Sequence, residues 1–280
     1  MTATTTSAAT SGWKRFWERG GFWKALLVVV VYYALYQGLS LVLVGPLYEA
    51  IAPEEGSPAF ILITTALPIA LGGVILVLFA VSIGWLRELF GPQPIRGKGW
   101  MWIAVAAVLV FNVIHLITLD YGKAGAGVVA AWLFTGLFIG FAEETLTRGF
   151  AVNLLRKAGY REFVVAVLSS LLFAALHSGN LFTTDQGPLA TGFQVVYTFF
   201  FGICMYLTLR VTGNLIWPIL LHASTDPTIF LSVSYPTEST LATIGSQGNP
   251  VVIIVGLILM WFIRGRVQPK DEFAVDAKLA

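Results

Sequence analysis

The feature that most constrains this chain is a series of apolar runs, each close to the length of a lipid bilayer. A helix rises about 1.5 Å per residue, so roughly 20 apolar residues match a hydrocarbon core of about 30 Å. Such runs cover residues 25–48, 59–86, 100–119, 127–155, 162–177, 189–209, 214–234 and 249–264. They predict about eight transmembrane helices. Composition agrees: 57% of the 280 residues are hydrophobic and 11% charged, whereas soluble domains carry about 25% charge. So little polarity cannot clothe a water-facing surface. The expected fold class is therefore all-α, a polytopic membrane helical bundle with membrane lipids as partners. A net charge of +2 is no footprint for nucleic acid, and none is expected as a partner. The single cysteine, Cys204, excludes an internal disulfide and reads as a small core residue.

Loop charges give an orientation. Lys14, Arg15, Arg19 and Lys24 precede the first run, and Arg87, Arg96 and Lys98 follow the second. Arg156, Lys157 and Arg161 follow the fourth run, Arg210 the sixth, and Arg264, Arg266, Lys270 and Lys278 the last. The alternate loops hold Glu49, Glu54, Glu55, Asp120, Asp185 and Glu238, with Lys123 as their only cation. Positive loops stay cytoplasmic, so both termini of this multi-pass chain are expected there. Residues 1–24 read as a disordered tail and an interfacial anchor, in which Trp13, Phe16, Trp17, Phe22 and Trp23 interleave with cations. Residues 25–120 are N-terminal membrane helices, 121–266 hold most of the unusual polar residues, and 267–280 form a cytoplasmic tail. The first run is too long for a signal-peptide core. The chain shows no internal repeat, which weakens a transporter built from inverted halves.

Several ionisable groups fall inside the apolar runs. On the insertion scale a charge at helix centre costs about 2.5–3.5 kcal/mol, so such groups have partners and usually a function. The fourth run contains Glu143, Glu144 and Arg148 within two turns. Glu144 and Arg148 are four apart and can pair on one face, a structural brace. Glu143 is rotated about 100° from Glu144 and remains available for chemistry. It shares its face with Gly136, Gly140 and Thr147, which leave room for another helix or a substrate backbone. The fifth run ends at His177, and the seventh carries His222 and Asp226, again four apart. Pro227 disfavours helical geometry at Asp226, so backbone groups are expected to open onto a cavity there. Carboxylate and imidazole together can handle a proton near neutral pH and activate a water for attack on an amide.

Plainer readings compete. Paired charges can lock helices together or line a proton path. His115 with Asn112 reads as a satisfied core pair. Phe193, Tyr197, Phe199, Phe200, Phe201 and Tyr206 in the sixth run read as packing or lipid contact. Other protease chemistries lack their residues: the chain has neither a His-Glu-x-x-His zinc motif nor a Gly-x-Ser-x-Gly nucleophile turn. Asp226 is the only aspartate within a predicted span, so a membrane aspartyl dyad has no second member.

The three stretches Glu143-Glu144-x-x-x-Arg148, Phe173-x-x-x-His177 and His222-x-x-x-Asp226 resemble the signature of the CAAX protease and bacteriocin-processing (CPBP, or Abi) family of intramembrane proteases. Gly213-Asn214 through His222-Ala223 is similar to that family's approach to its third motif. The likeness covers roughly residues 126–230 and makes 121–266 the catalytic core. It implies an intramembrane endopeptidase acting on membrane-associated peptides or lipidated, CAAX-like proteins. Glu143 would be the general base on water, assisted by His177, while His222 and residue 226 would steady the oxyanion. No cofactor is favoured; the alternative is zinc held by Glu143 or Glu144 with His177 and His222. One departure matters: the family's third motif commonly ends in Asn, and this chain has Asp226. An ionised aspartate repels an oxyanion, so Asp226 would be protonated, would orient His222, or would leave activity reduced. The competing classes are a non-proteolytic immunity or scaffold protein and a proton-coupled transporter. Helix arithmetic puts His222 about 12 Å beyond Asn214 but His177 about 24 Å beyond Arg161, a mismatch in depth.

Overall fold

The computed structural model describes residues 11–268; of the segments expected as tails, 1–24 and 267–280, residues 1–10 and 269–280 lie outside the described residues. A short helix α1 (Gly12–Glu18) precedes α2 (Phe22–Ile51), α3 (Pro58–Ile83), α4 (Gly99–Ile117) and α5 (Tyr121–Lys157). Then follow α6 (Glu162–Thr183), α7 (Pro188–Thr212), α8 (Ile216–Ser234) and α9 (Thr240–Met260). Among the described residues there is no β-strand, only the isolated bridges Leu119–Pro236 and Arg161–Arg266. The chain is an all-α polytopic bundle.

Seven helices, α2 to α7 and α9, are long and apolar enough to cross a membrane. The sequence count was about eight, and the difference is α8. Its 19 residues reach about 28 Å at 1.5 Å per residue, but His222, Asp226, Pro218 and Pro227 dilute its apolarity. This helix is instead sheltered by protein, packing most extensively against α5 and also against α4. Outer faces carry the apolar side chains, with Leu41, Phe182, Leu189 and Val233 each more than 70% exposed. The interior holds Glu144, Arg148, Arg156, Glu162, Arg210 and His222. Water-soluble domains invert that distribution; lipid permits it.

Why α5 and α8 approach so closely is written in their small residues. A Cβ on Gly140 would run into Ile219 O and lie 2.7 Å from Ala223 N, and one on Gly136 would meet Ala223 O and Pro227 Cγ. The space left by these glycines is therefore filled by α8. Contrary to expectation, Pro227 does not open the backbone: α8 runs unbroken through it. Proline lacks the N–H that would bond the carbonyl four residues back, which is Ala223 O. Gly136 leaves room for that freed carbonyl and for the proline ring. On its other side α8 is gripped by Asn112, whose Nδ2 donates to Ser224 Oγ and Thr225 Oγ1, both at 2.9 Å. His115 Nε2 lies 3.1 Å from Gly245 O.

The helix ends also differ in detail from expectation. α5 begins at Tyr121, earlier than the predicted start at 127, because the carboxylate of Asp120 accepts from Lys123 N at 3.0 Å and caps the helix. Hydrogen bonds from the Lys123 backbone and side chain hold that exposed carboxyl below its usual range. In α1, Trp17 is not an interfacial ring: it is 4% exposed and meets Phe79 edge-on at 5.0 Å. Trp13 and Trp23 stay exposed.

Two cations assigned to positive loops are interior. Arg156 donates to Glu162 from Nε (3.0 Å) and Nη2 (2.7 Å), and to Gln93 Oε1 from Nη1. Arg210 donates to Glu162 Oε2 at 3.1 Å and to Arg96 O at 3.1 Å. Tyr206 also donates to Glu162 Oε2, so it belongs to this network rather than to a lipid-facing aromatic surface. The network ties α5, α6 and α7 to the segment around Gln93 and Arg96.

Candidate active site

At Glu144 the regular α-turns of α5 give way to wider π-turns over Thr145–Ala151. Such bulges are rare and concentrate at functional sites. The altered pitch still leaves Arg148 Nη1 3.2 Å from Glu144 Oε1, with both side chains fully buried. Arg148 also donates to Thr147 Oγ1 at 2.5 Å and lies 4.6 Å from the Phe173 ring centre. Thr147 in turn donates to Glu143 O at 2.6 Å.

The same Glu144 Oε1 is 2.8 Å from His222 Nδ1. A carboxylate accepts, so Nδ1 carries the proton and Nε2 is turned the other way. There it faces Glu143 Oε2 and Asp226 Oδ2, each at 3.6 Å. Glu144 is therefore more than a partner for Arg148: it fixes the His222 ring. Asp226, one of whose expected alternatives was to orient that ring, stands at the opposite nitrogen beside Glu143. Glu143 and Asp226 keep 19% and 23% of their side chains exposed, against 0% for Glu144. The open side of the cluster is thus the Glu143–Asp226 side.

His177, at the end of the regular part of α6, places Nδ1 3.1 Å from Phe173 O. A carbonyl only accepts, which assigns the proton to Nδ1 and leaves Nε2 with its lone pair. Glu143 lies within electrostatic reach of His177, His222, Asp226 and Glu144. The depth mismatch between the two histidines closes on Phe173, whose ring is 4.9 Å from His177 and 5.8 Å from His222. Phe201 closes the other flank of His222 at 4.8 Å, and Tyr197 stacks on Phe201 at 5.7 Å. Phe201 and Tyr197 therefore wall the site, although their pattern in the sequence suggests packing or lipid contact.

Sequence reasoning missed α2 altogether. Tyr32 and Tyr36 stack at 6.1 Å with an interplanar angle of 19°, and both lie within electrostatic reach of Glu143. The available signal was two phenols four residues apart in the middle of an apolar run. Near the cluster several buried polar atoms have no hydrogen-bond partner: Glu143 Oε2, Glu144 Oε2, Arg148 Nε and Nη2, and Tyr32 Oη. Among the described residues no three His, Cys, Asp or Glu side chains converge at metal-binding spacing.

A ring held by one buried carboxylate, facing a second carboxylate inside a helical membrane bundle, defines a membrane protein with a sheltered acid–base site. Residues 125–228 match the family model described as Type II CAAX prenyl endopeptidase Rce1-like, the CAAX protease family that the three motifs resemble. The likeness is thus to a family of CAAX-type intramembrane proteases. No curated protein and no solved structure matches. The matched segment runs from α5 into α8 and contains Glu143, Glu144, Arg148, His177, His222 and Asp226.

Proposed function

We propose that the protein hydrolyses peptide bonds in membrane-associated or lipidated, CAAX-like substrates, with Glu143 as the base that activates water. One observation carries this reading: Glu144 fixes His222 at 2.8 Å, so that Nε2 faces Glu143 Oε2 at 3.6 Å on the open side of the cluster. That gap is too long for a direct hydrogen bond and leaves Glu143 free to take a water proton. The water oxygen attacks the scissile carbonyl carbon while its proton passes to Glu143, giving a tetrahedral oxyanion. The same proton moves on to the amide nitrogen as the C–N bond breaks, and the second water proton leaves with the new carboxyl group. His177, with Nδ1 committed to Phe173 O, offers Nε2 to orient the water. When doubly protonated, His222 can donate from Nε2 to the oxyanion while Nδ1 stays on Glu144. Phe173 and Phe201 keep bulk water off the ring, which strengthens these interactions.

The loop cations suit a chain with both termini on the cytoplasmic side, counting α8 as the eighth crossing. The reaction proposed needs no metal. Purified protein should therefore retain cleavage of a farnesylated CAAX-type peptide after treatment with a strong zinc chelator. Activity that is lost on chelation and restored by zinc would replace the glutamate mechanism with a metal one. Glu143→Ala and His177→Ala should each abolish or strongly reduce cleavage in folded protein. Full cleavage by both variants would leave the buried cluster as a structural or binding device.

A further inference from the structure

Building on the proteolytic reading, we propose that Tyr32 of α2, outside the family-matched segment, donates a second hydrogen bond to the oxyanion during peptide hydrolysis, beside that from His222. The phenol is buried, with 5% of the residue exposed, and its Oη has no hydrogen-bond partner. Buried hydroxyls in folded proteins are nearly always partnered, and an orphan calls for an explanation. Glu143 Oε2, the nearby carboxylate oxygen, is likewise buried and unpartnered. One orphan can donate and the other accepts, which is the pair that a substrate carbonyl and an attacking water require.

The position of the phenol is built rather than incidental. Gly72 of α3 lies directly against it: a Cβ there would sit 2.5 Å from Tyr32 Oη and 3.2 Å from Cζ. Only glycine admits the ring. Tyr36 stacks on the Tyr32 ring at 6.1 Å, so packing from both α2 and α3 holds the phenol. α2 reaches this place because it packs against the π-turns that follow Glu144 and against α6.

The chemistry explains why such a donor is needed. Glu143, Glu144 and Asp226 surround His222, and an ionised carboxylate beside a forming oxyanion opposes it. Asp226, when ionised, is an acceptor only and offers no donor there. Arg148 pairs through Nη1 with the Glu144 oxygen that holds His222 Nδ1 and lies against the Phe173 ring, whereas Glu143 stands at His222 Nε2. Thr147 spends its hydroxyl proton on Glu143 O. A phenol donates without adding charge, and tyrosine is one of the side chains that build oxyanion holes.

The test is Tyr32→Phe in the full chain, assayed on a farnesylated CAAX-type peptide beside wild type and Glu143→Gln. The expected result is a fall in kcat of about 100-fold with KM within about twofold. The melting temperature should stay level or rise, because the hydroxyl removed has no partner to lose. Wild-type kcat in Tyr32→Phe, with Glu143→Gln inactive, overturns this role and leaves the protease reading standing. A fall in kcat together with a fall in melting temperature makes the hydroxyl structural and also overturns it. Absence of cleavage by wild type sinks the protease reading, and full cleavage by Glu143→Gln sinks Glu143 as the base; either result takes the Tyr32 role with it.

Discussion

Two buried ionic clusters share the interior of this bundle, and they are wired differently. Around Glu162 both carboxylate oxygens are used: Arg156 and Arg210 pair with it, Tyr206 donates to it, and Gln93 Oε1 and Arg96 O each take a further guanidinium donor, which leaves Arg210 Nε as the unpartnered atom of this network. Around His222 the inventory does not close. Glu143 Oε2, Glu144 Oε2, Arg148 Nε and Nη2, and Tyr32 Oη all lack partners. A satisfied network rigidifies a fold, whereas unpaired groups in a low-dielectric interior cost stability and persist where something else uses them. The first cluster reads as an internal rivet joining α5, α6 and α7. The second reads as a site prepared for water and a peptide.

Isosteric substitutions of the two central carboxylates separate these roles most strongly. Glu144→Gln should lower cleavage per folded molecule by about 100-fold or more, because the His222 ring loses the acceptor that fixes its Nδ1 proton. Glu162→Gln should leave cleavage per folded molecule within about twofold, yet cost about 3–5 kcal/mol of stability by stranding two buried arginines. Equal loss of activity in both variants, measured against the folded fraction, would erase the distinction. Asp226→Asn probes the open side of the site: kcat should hold or rise by up to about tenfold, since a neutral amide can donate where a carboxylate repels. Complete loss in a well-folded Asp226→Asn variant would make the carboxylate itself essential.

The smallest effect is expected at the periphery. Burial pushes the Glu18 carboxyl up, but hydrogen bonds from Lys157 and Trp85, with the nearby ammonium charges, outweigh it and hold the group below its ordinary value of 4.5. A depressed carboxylate adds stability that is complete above its unfolded value and is lost as pH falls through the folded one. Wild-type melting temperature should therefore fall more than that of Glu18→Gln on acidification below about pH 4.5, monitored by thermal unfolding in detergent. Parallel curves would show that the Lys157–Glu18 contact adds nothing measurable.

The comparison also marks what the sequence reveals. Apolar runs gave the helices, since bilayer length is a local property of a segment. The pairing of Glu144 with Arg148 was legible because four residues bring two side chains to one helical face. The Glu144–His222 contact was not, as 78 residues separate its members and only the docking of α8 on α5 joins them. Gly136 and Gly140 signalled a close approach without naming what approaches, and Pro227 suggested a break that the cleft beside Gly136 makes unnecessary. Arg156 and Arg210 were read as loop cations because Glu162, their common partner, stands at the start of another helix. Tyr32 was hidden for the same reason: nothing in the first run refers to Glu143, more than a hundred residues later.

The central claim is that Glu143 is a working base rather than a buried ornament of the fold. Its most direct measurement is kcat for farnesylated CAAX-type peptide cleavage by purified Glu143→Gln beside wild type, with melting temperatures recorded for both. The account requires active wild type, a loss of about 1,000-fold or more in the variant, and an unchanged or raised melting temperature. A folded Glu143→Gln protein that cleaves within about tenfold of wild type would contradict it.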